Sequence, residues 1–90
     1  MMTRIDVSHA GDASYMVEIG EGPSRSTHRV TVGADDLQSL GGGATAESLI
    51  EASFRFLLDR ENKESILSEF DLSVIGRYFP EYPERIGDYL

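Results

Sequence analysis

Two imidazoles, a triple glycine, one acidic run and a cluster of aromatics are the side chains that could carry chemistry in this 90-residue chain. His9 and His28 are the sole histidines, and there is no cysteine. Nucleophilic catalysis needs a nucleophile beside a base, and carboxylate chemistry needs a pair with separated pKa values. His9 falls among turn formers and His28 on an alternating strand pattern, so neither has an evident partner. Thiolate zinc sites, disulfides and thiol nucleophiles are excluded outright. We therefore assign no catalytic, cofactor or metal residue from the sequence.

Gly41-Gly42-Gly43 precedes a helical pattern, an arrangement that in phosphate-binding loops exposes free N–H groups to an anion. A Walker loop requires Lys and Ser or Thr after its last glycine, and here Ala44-Thr45-Ala46 follows. The glycines instead suit a left-handed helix end and a change of direction. The run Asp59-Arg60-Glu61-Asn62-Lys63-Glu64 is rich in oxygen ligands, but a calcium loop begun at Asp59 would put Glu64 at its glycine position and Phe70 at its glutamate position. A solvated helix junction with local ion pairs accounts for it.

Phe70, Tyr78, Phe79 and Tyr82 form the densest aromatic segment, interleaved with Leu72, Val74 and Ile75. Aromatics with a polar tip bury much area at low entropic cost, which makes these four the candidate protein-binding residues. The alternative is a second core layer, which a domain this small needs.

Sixteen acidic against eight basic residues give a net charge of −8. That repels nucleic acid and anionic lipid and attracts a basic protein partner. Met1 to Val7 contains no continuous hydrophobic run, so no signal peptide is expected, and no later segment has the apolar length to span a bilayer. A cytoplasmic setting follows as the expectation.

The elements that must position these residues are read from periodicity. Apolar residues at alternate positions predict strands over 4–8, 14–20 and 27–32, with Ile5 and Val7, then Tyr15, Val17 and Ile19, then His28, Val30 and Val32 each on one side. Residues 20–26, with Gly20, Gly22 and Pro23, read as a mobile loop. Gly33 to Leu40 reads as a short helix. Thr45 is an N-cap for a long helix to Arg60 carrying Leu49, Ile50, Ser53, Phe54, Phe56, Leu57 and Leu58. Helical spacing resumes over 63–70 with Ile66, Leu67 and Phe70, and Asp71 caps a last short helix stopped by Pro80. The expected fold is α+β and one domain over 1–90: a three-stranded antiparallel meander (1–32), then one long and two or three short helices (34–90) packed on one face.

From Arg29 to Arg60, the order Arg29-Val30-Thr31-Val32, Asp35 to Leu40, and Ala44 to Arg60 resembles the ribbon-helix-helix repressors and antitoxins. The resemblance implies a dimer whose paired strands enter the major groove, with Arg29 and Thr31 facing bases and Thr45 at a phosphate. Such a ribbon needs a free strand edge, and the two upstream strands compete for it. The two functional expectations are thus a non-catalytic protein-interaction module, monomer or homodimer, and a DNA-binding or antitoxin-like dimer.

Overall fold

The computed structural model describes residues 3–90. Strands β1 (Thr3–Gly11), β2 (Ser14–Glu21) and β3 (Ser24–Thr31) form the expected antiparallel meander, and a fourth strand, β4 (Glu69–Asp71), lies parallel to β3. The sheet is therefore mixed, in the order β1-β2-β3-β4. Helices α1 (Ala34–Gly41) and α2 (Ala46–Leu58) lead from β3 to β4. The short helices α3 (Ile75–Tyr78) and α4 (Tyr82–Arg85) complete the chain, with single 3-10 turns at Lys63–Ser65, Leu72–Val74 and Ile86–Asp88. Among the described residues no helix is long and apolar enough to cross a membrane.

Residues 20–26 are not a loop. Glu21 pairs directly with Ser24, and only Gly22 and Pro23 form the turn. Gly22 takes φ 60°, which glycine adopts without a steric penalty, and Pro23 sits where no ladder N–H is required. The strands consequently run to the turn itself.

One face of the sheet is apolar, as the alternation requires. Val17, Ile19 and Val30 are fully buried, with Ile5, Val7 and Tyr15 half-buried beside them. The other face carries Arg4, Asp6, Glu18, Arg25, Thr27 and Arg29, all exposed, so the helices cover one side only. α2 lies on the apolar face and buries Leu49, Ile50, Phe54, Phe56 and Leu57, the residues its spacing placed there. Burying each such side chain is worth about 1.5–3 kcal/mol. Thr45 caps α2 by accepting from the Ser48 N–H at 3.1 Å. Gly42, at φ 58°, closes α1 in the left-handed cap geometry.

The segment 63–70 departs from its helical expectation. After one 3-10 turn the chain extends and Phe70 pairs with Val30. The spacing of Ile66 and Phe70 is four, which fits both one helical turn and one side of a strand. The unpaired edge of β3 decides between them: the Arg29 N–H donates to the Ser68 carbonyl at 2.7 Å, a bond that a helix at this position would forgo.

The final third is strapped onto α2. Phe56 meets Phe79, Tyr82 and Tyr89 edge-on at 5.9, 5.2 and 5.8 Å, and the Arg60 guanidinium lies over the same ring, 3.6 Å from its centroid. Tyr82 is 1 % exposed. The Ser53 hydroxyl donates to the Leu49 carbonyl at 2.7 Å, so the Tyr82 hydroxyl donates to the Ser53 oxygen, also at 2.7 Å. Burial raises the Tyr82 phenol from 10.0 to about 12. Because the folded value is the higher one, its contribution is whole below pH 10 and is lost as pH climbs toward 12. The expected result is a loss of about 2 kcal/mol in unfolding free energy across that alkaline window, absent in Tyr82→Phe. Urea titrations of both proteins at several alkaline pH values check it, and identical pH slopes would refute it.

Candidate functional site

The aromatic segment is divided by the fold. Tyr82 belongs to the core and is withdrawn from the surface candidates, whereas Phe70, Tyr78 and Phe79 converge on one open groove of about 320 Å³. Its floor is Leu57, Ile66 and Ile75, each at most 7 % exposed. Phe70, Val74 and Phe79 form half-buried walls, and Leu67 and Tyr78 stand at the lip, 48 % and 67 % exposed. Leu67 and Val74 join the candidates here. The sequence pattern missed Leu67's role because it assigned the residue to a helical stripe.

Each wall has a traceable origin. Phe70 enters through β4, whose register beside Val30 turns the ring inward against Phe54 at 5.9 Å. Asp71 ends the strand and caps the next turn, its carboxylate accepting from the Ser73 N–H at 3.0 Å and from the Thr31 hydroxyl at 3.0 Å. The Ser73 N–H is the main reason that this carboxyl lies below its ordinary pKa. The cap starts the turn that leads into α3, which ends before Pro80 and so presents Tyr78 and Phe79 on successive sides.

His28 holds the lip in place. It is 2 % exposed, lies against Phe54 at 5.4 Å, and has both ring nitrogens in use. Nδ1 contacts the Leu67 carbonyl at 2.7 Å, and since a carbonyl only accepts, Nδ1 carries the proton. Nε2 then accepts from the Ser26 hydroxyl at 2.9 Å in the neutral ring. This imidazole is a clasp between β3 and the segment that leads into β4.

Lys63, to which the sequence reading gave no role beyond the junction, is 2 % exposed and donates to Ser24 and Glu64. It ties the β2–β3 turn to the start of the segment leading to β4. Glu61 occupies the polar rim of the groove. Burial raises its carboxyl above the ordinary value, and no ion pair among the described residues uses it.

The residues assigned to nucleic acid do not come together. Arg29 and Thr31 share the exposed face of β3, but Thr45 lies in the helical layer on the other side of the sheet. The Thr31 hydroxyl is committed to Asp71, and Glu69 stands beside Arg29 in register. β3 is paired by β2 along its length and by β4 over Arg29 to Thr31, the stretch that an intermolecular ribbon would use. Among the described residues no group of three or more metal-ligating side chains clusters.

Compared with models of known families, with curated proteins and with solved structures, the chain matches none.

His28→Ala is expected to lower unfolding free energy by about 2–4 kcal/mol, since it opens a cavity against Phe54 and leaves the Leu67 carbonyl unpartnered. Chemical denaturation checks this. A loss below about 0.5 kcal/mol, the range of ordinary surface substitutions, would show that the clasp contributes nothing.

Proposed function

We propose that the protein is a non-catalytic interaction module whose groove between Leu67 and Tyr78 receives an apolar side chain of a partner protein, with a basic residue of that partner set against Glu61. The observation that carries this is the juxtaposition of an open apolar groove with a half-buried carboxylate that no ion pair among the described residues uses. An apolar concavity with few convergent polar groups is the general form of a recognition pocket. Large exposed apolar side chains scattered singly need no explanation, but Leu67 and Tyr78 face the same depression.

Charge supports the choice of partner. The net −8 favours encounter with a basic segment, and a cation at Glu61 offsets the burial that now disfavours its ionised form. Tyr78 supplies an aromatic lip with a polar tip, the kind of side chain that interfaces often use as an anchor. A cytoplasmic setting accords with a cysteine-free chain.

Selection from a displayed peptide library, followed by NMR titration of the selected peptides, tests the proposal. Enriched peptides are expected to pair a large apolar residue with Lys or Arg and to perturb Leu67, Val74, Tyr78 and Phe79. Leu67→Ser and Tyr78→Ala should each weaken binding by roughly tenfold or more while changing stability little. No enrichment, or perturbations confined to the other face of the sheet, would refute the reading.

The Glu61 carboxylate also gives the interaction a pH signature. Its pKa is raised, so acidification should protonate Glu61 before an ordinary surface glutamate and weaken peptide binding at mildly acidic pH. Glu61→Gln should bind more weakly at neutral pH and lose that pH dependence. Fluorescence anisotropy across the acidic range decides it, and parallel pH curves for the two proteins would contradict the role given to Glu61.

A further inference from the structure

Among the described residues β1 is paired on one edge only, by β2, and the orientation of its backbone groups follows from the ladder. The Arg29 N–H points away from β2, toward Ser68, so His28 and Val30 direct theirs to β2. Their partners Val17 and Tyr15 face β3 in return, leaving Glu18 and Met16 to face β1. Asp6 and Ser8 answer those residues. By alternation Thr3, Ile5 and Val7 turn their N–H and C=O groups outward, away from the sheet.

Exposed edges are ordinarily guarded by proline, bulges or inward-pointing charges. None of these guards Thr3 to Val7. The one irregularity of β1 lies beyond His9, and the charged residues Arg4 and Asp6 are on the outer face, 82 % and 59 % exposed, leaning together at 3.5 Å. Ile5 and Val7, and Leu58 of α2 beside Ile5, are half-buried apolar residues along this edge.

From this geometry we infer that β1 pairs antiparallel with β1 of a second copy, across a two-fold axis at Ile5. The register is specified by charge. With Ile5 opposite Ile5, Arg4 of each copy faces Asp6 of the other, in the non-hydrogen-bonded position where side chains approach closest. Thr3 falls opposite Val7 on the apolar face. The sequence Arg4-Ile5-Asp6 is complementary to itself when reversed, so another copy of this chain satisfies the edge without any further partner. Ile5 to Ile5 is a hydrogen-bonded pair, in keeping with its outward backbone groups. Two four-stranded sheets joined in this way make one continuous eight-stranded sheet, with the helices of both copies on the same side. Repulsion between two chains of −8 keeps the association weak and reversible.

Sedimentation of the full chain at high micromolar concentration is expected to show a dimer. Arg4→Asp and Asp6→Arg should each weaken self-association by roughly tenfold, since each replaces two opposite-charge contacts by two like-charge ones. Mixing the two variants is the decisive arm. Asp at position 4 of one chain then faces Arg at position 6 of the other, and the native Asp6 faces the native Arg4, so a heterodimer should form where neither variant alone dimerises. That recovery also shows both variants to be folded. A monomeric wild type, a dimer indifferent to either reversal, or a mixture that stays monomeric would each overturn the inference.

Discussion

The second edge of β3 is the constraint on which the rest of the structure depends. A meander of three strands leaves that edge with unpaired backbone groups and a buried imidazole facing it. The chain that returns from α2 satisfies both: Ser68 accepts from Arg29, Leu67 accepts from His28, and the Thr31 hydroxyl reaches Asp71. Three hydrogen bonds over five residues are a small gain individually, about 1 kcal/mol each. They are made on a strand whose alternate residues are already packed, and leaving a buried donor unmet would cost more than forming the bond gains. Docking of β4 also sets where everything after it begins. Asp71 caps the turn into α3, α3 presents Tyr78 and Phe79, and α4 delivers Tyr82 to Ser53 and Phe56.

The groove is thus a product of the sheet more than of the helices. Its lip residue Leu67 is outward because Ile66 is inward on an extended chain, and its wall Phe70 is inward because it aligns with Val30. In a helix over the same residues, Ile66, Leu67 and Phe70 would have shared one buried stripe and no groove would remain. The aromatic content of the C-terminal third serves two purposes accordingly. Tyr82 and Tyr89 complete the layer over Phe56, while Phe70, Tyr78 and Phe79 surround an opening. Lys63 and His28, both buried, secure the two ends of the connecting segment.

Local signals made much of this legible. Strict alternation in Tyr15-Val17-Ile19 and His28-Val30-Val32, the Thr45 cap, the glycine exit from α1 and the broad stripe of α2 are each decided within a few residues, and each stands as its pattern implied. What local pattern could not decide was how a non-local partner would use an ambiguous stretch. Four-residue spacing between Ile66 and Phe70 suits two geometries, and the choice rests on a strand some forty positions away. Gly22 and Pro23 read as breakers, yet they break only the two residues of the turn. Tyr82 and Tyr78 are indistinguishable by type, and only the path after Pro80 sends one to the core and the other to the surface.

Amide hydrogen exchange at Arg29 tests the central dependence most directly. If β4 docking closes the sheet, the Arg29 N–H is protected to nearly the same degree as the core amides of β2, because it opens only when the C-terminal third comes away. Exchange of Arg29 at the rate of an exposed edge amide, with the β2 amides still protected, would show that β3 keeps a free edge and would remove the basis for the groove.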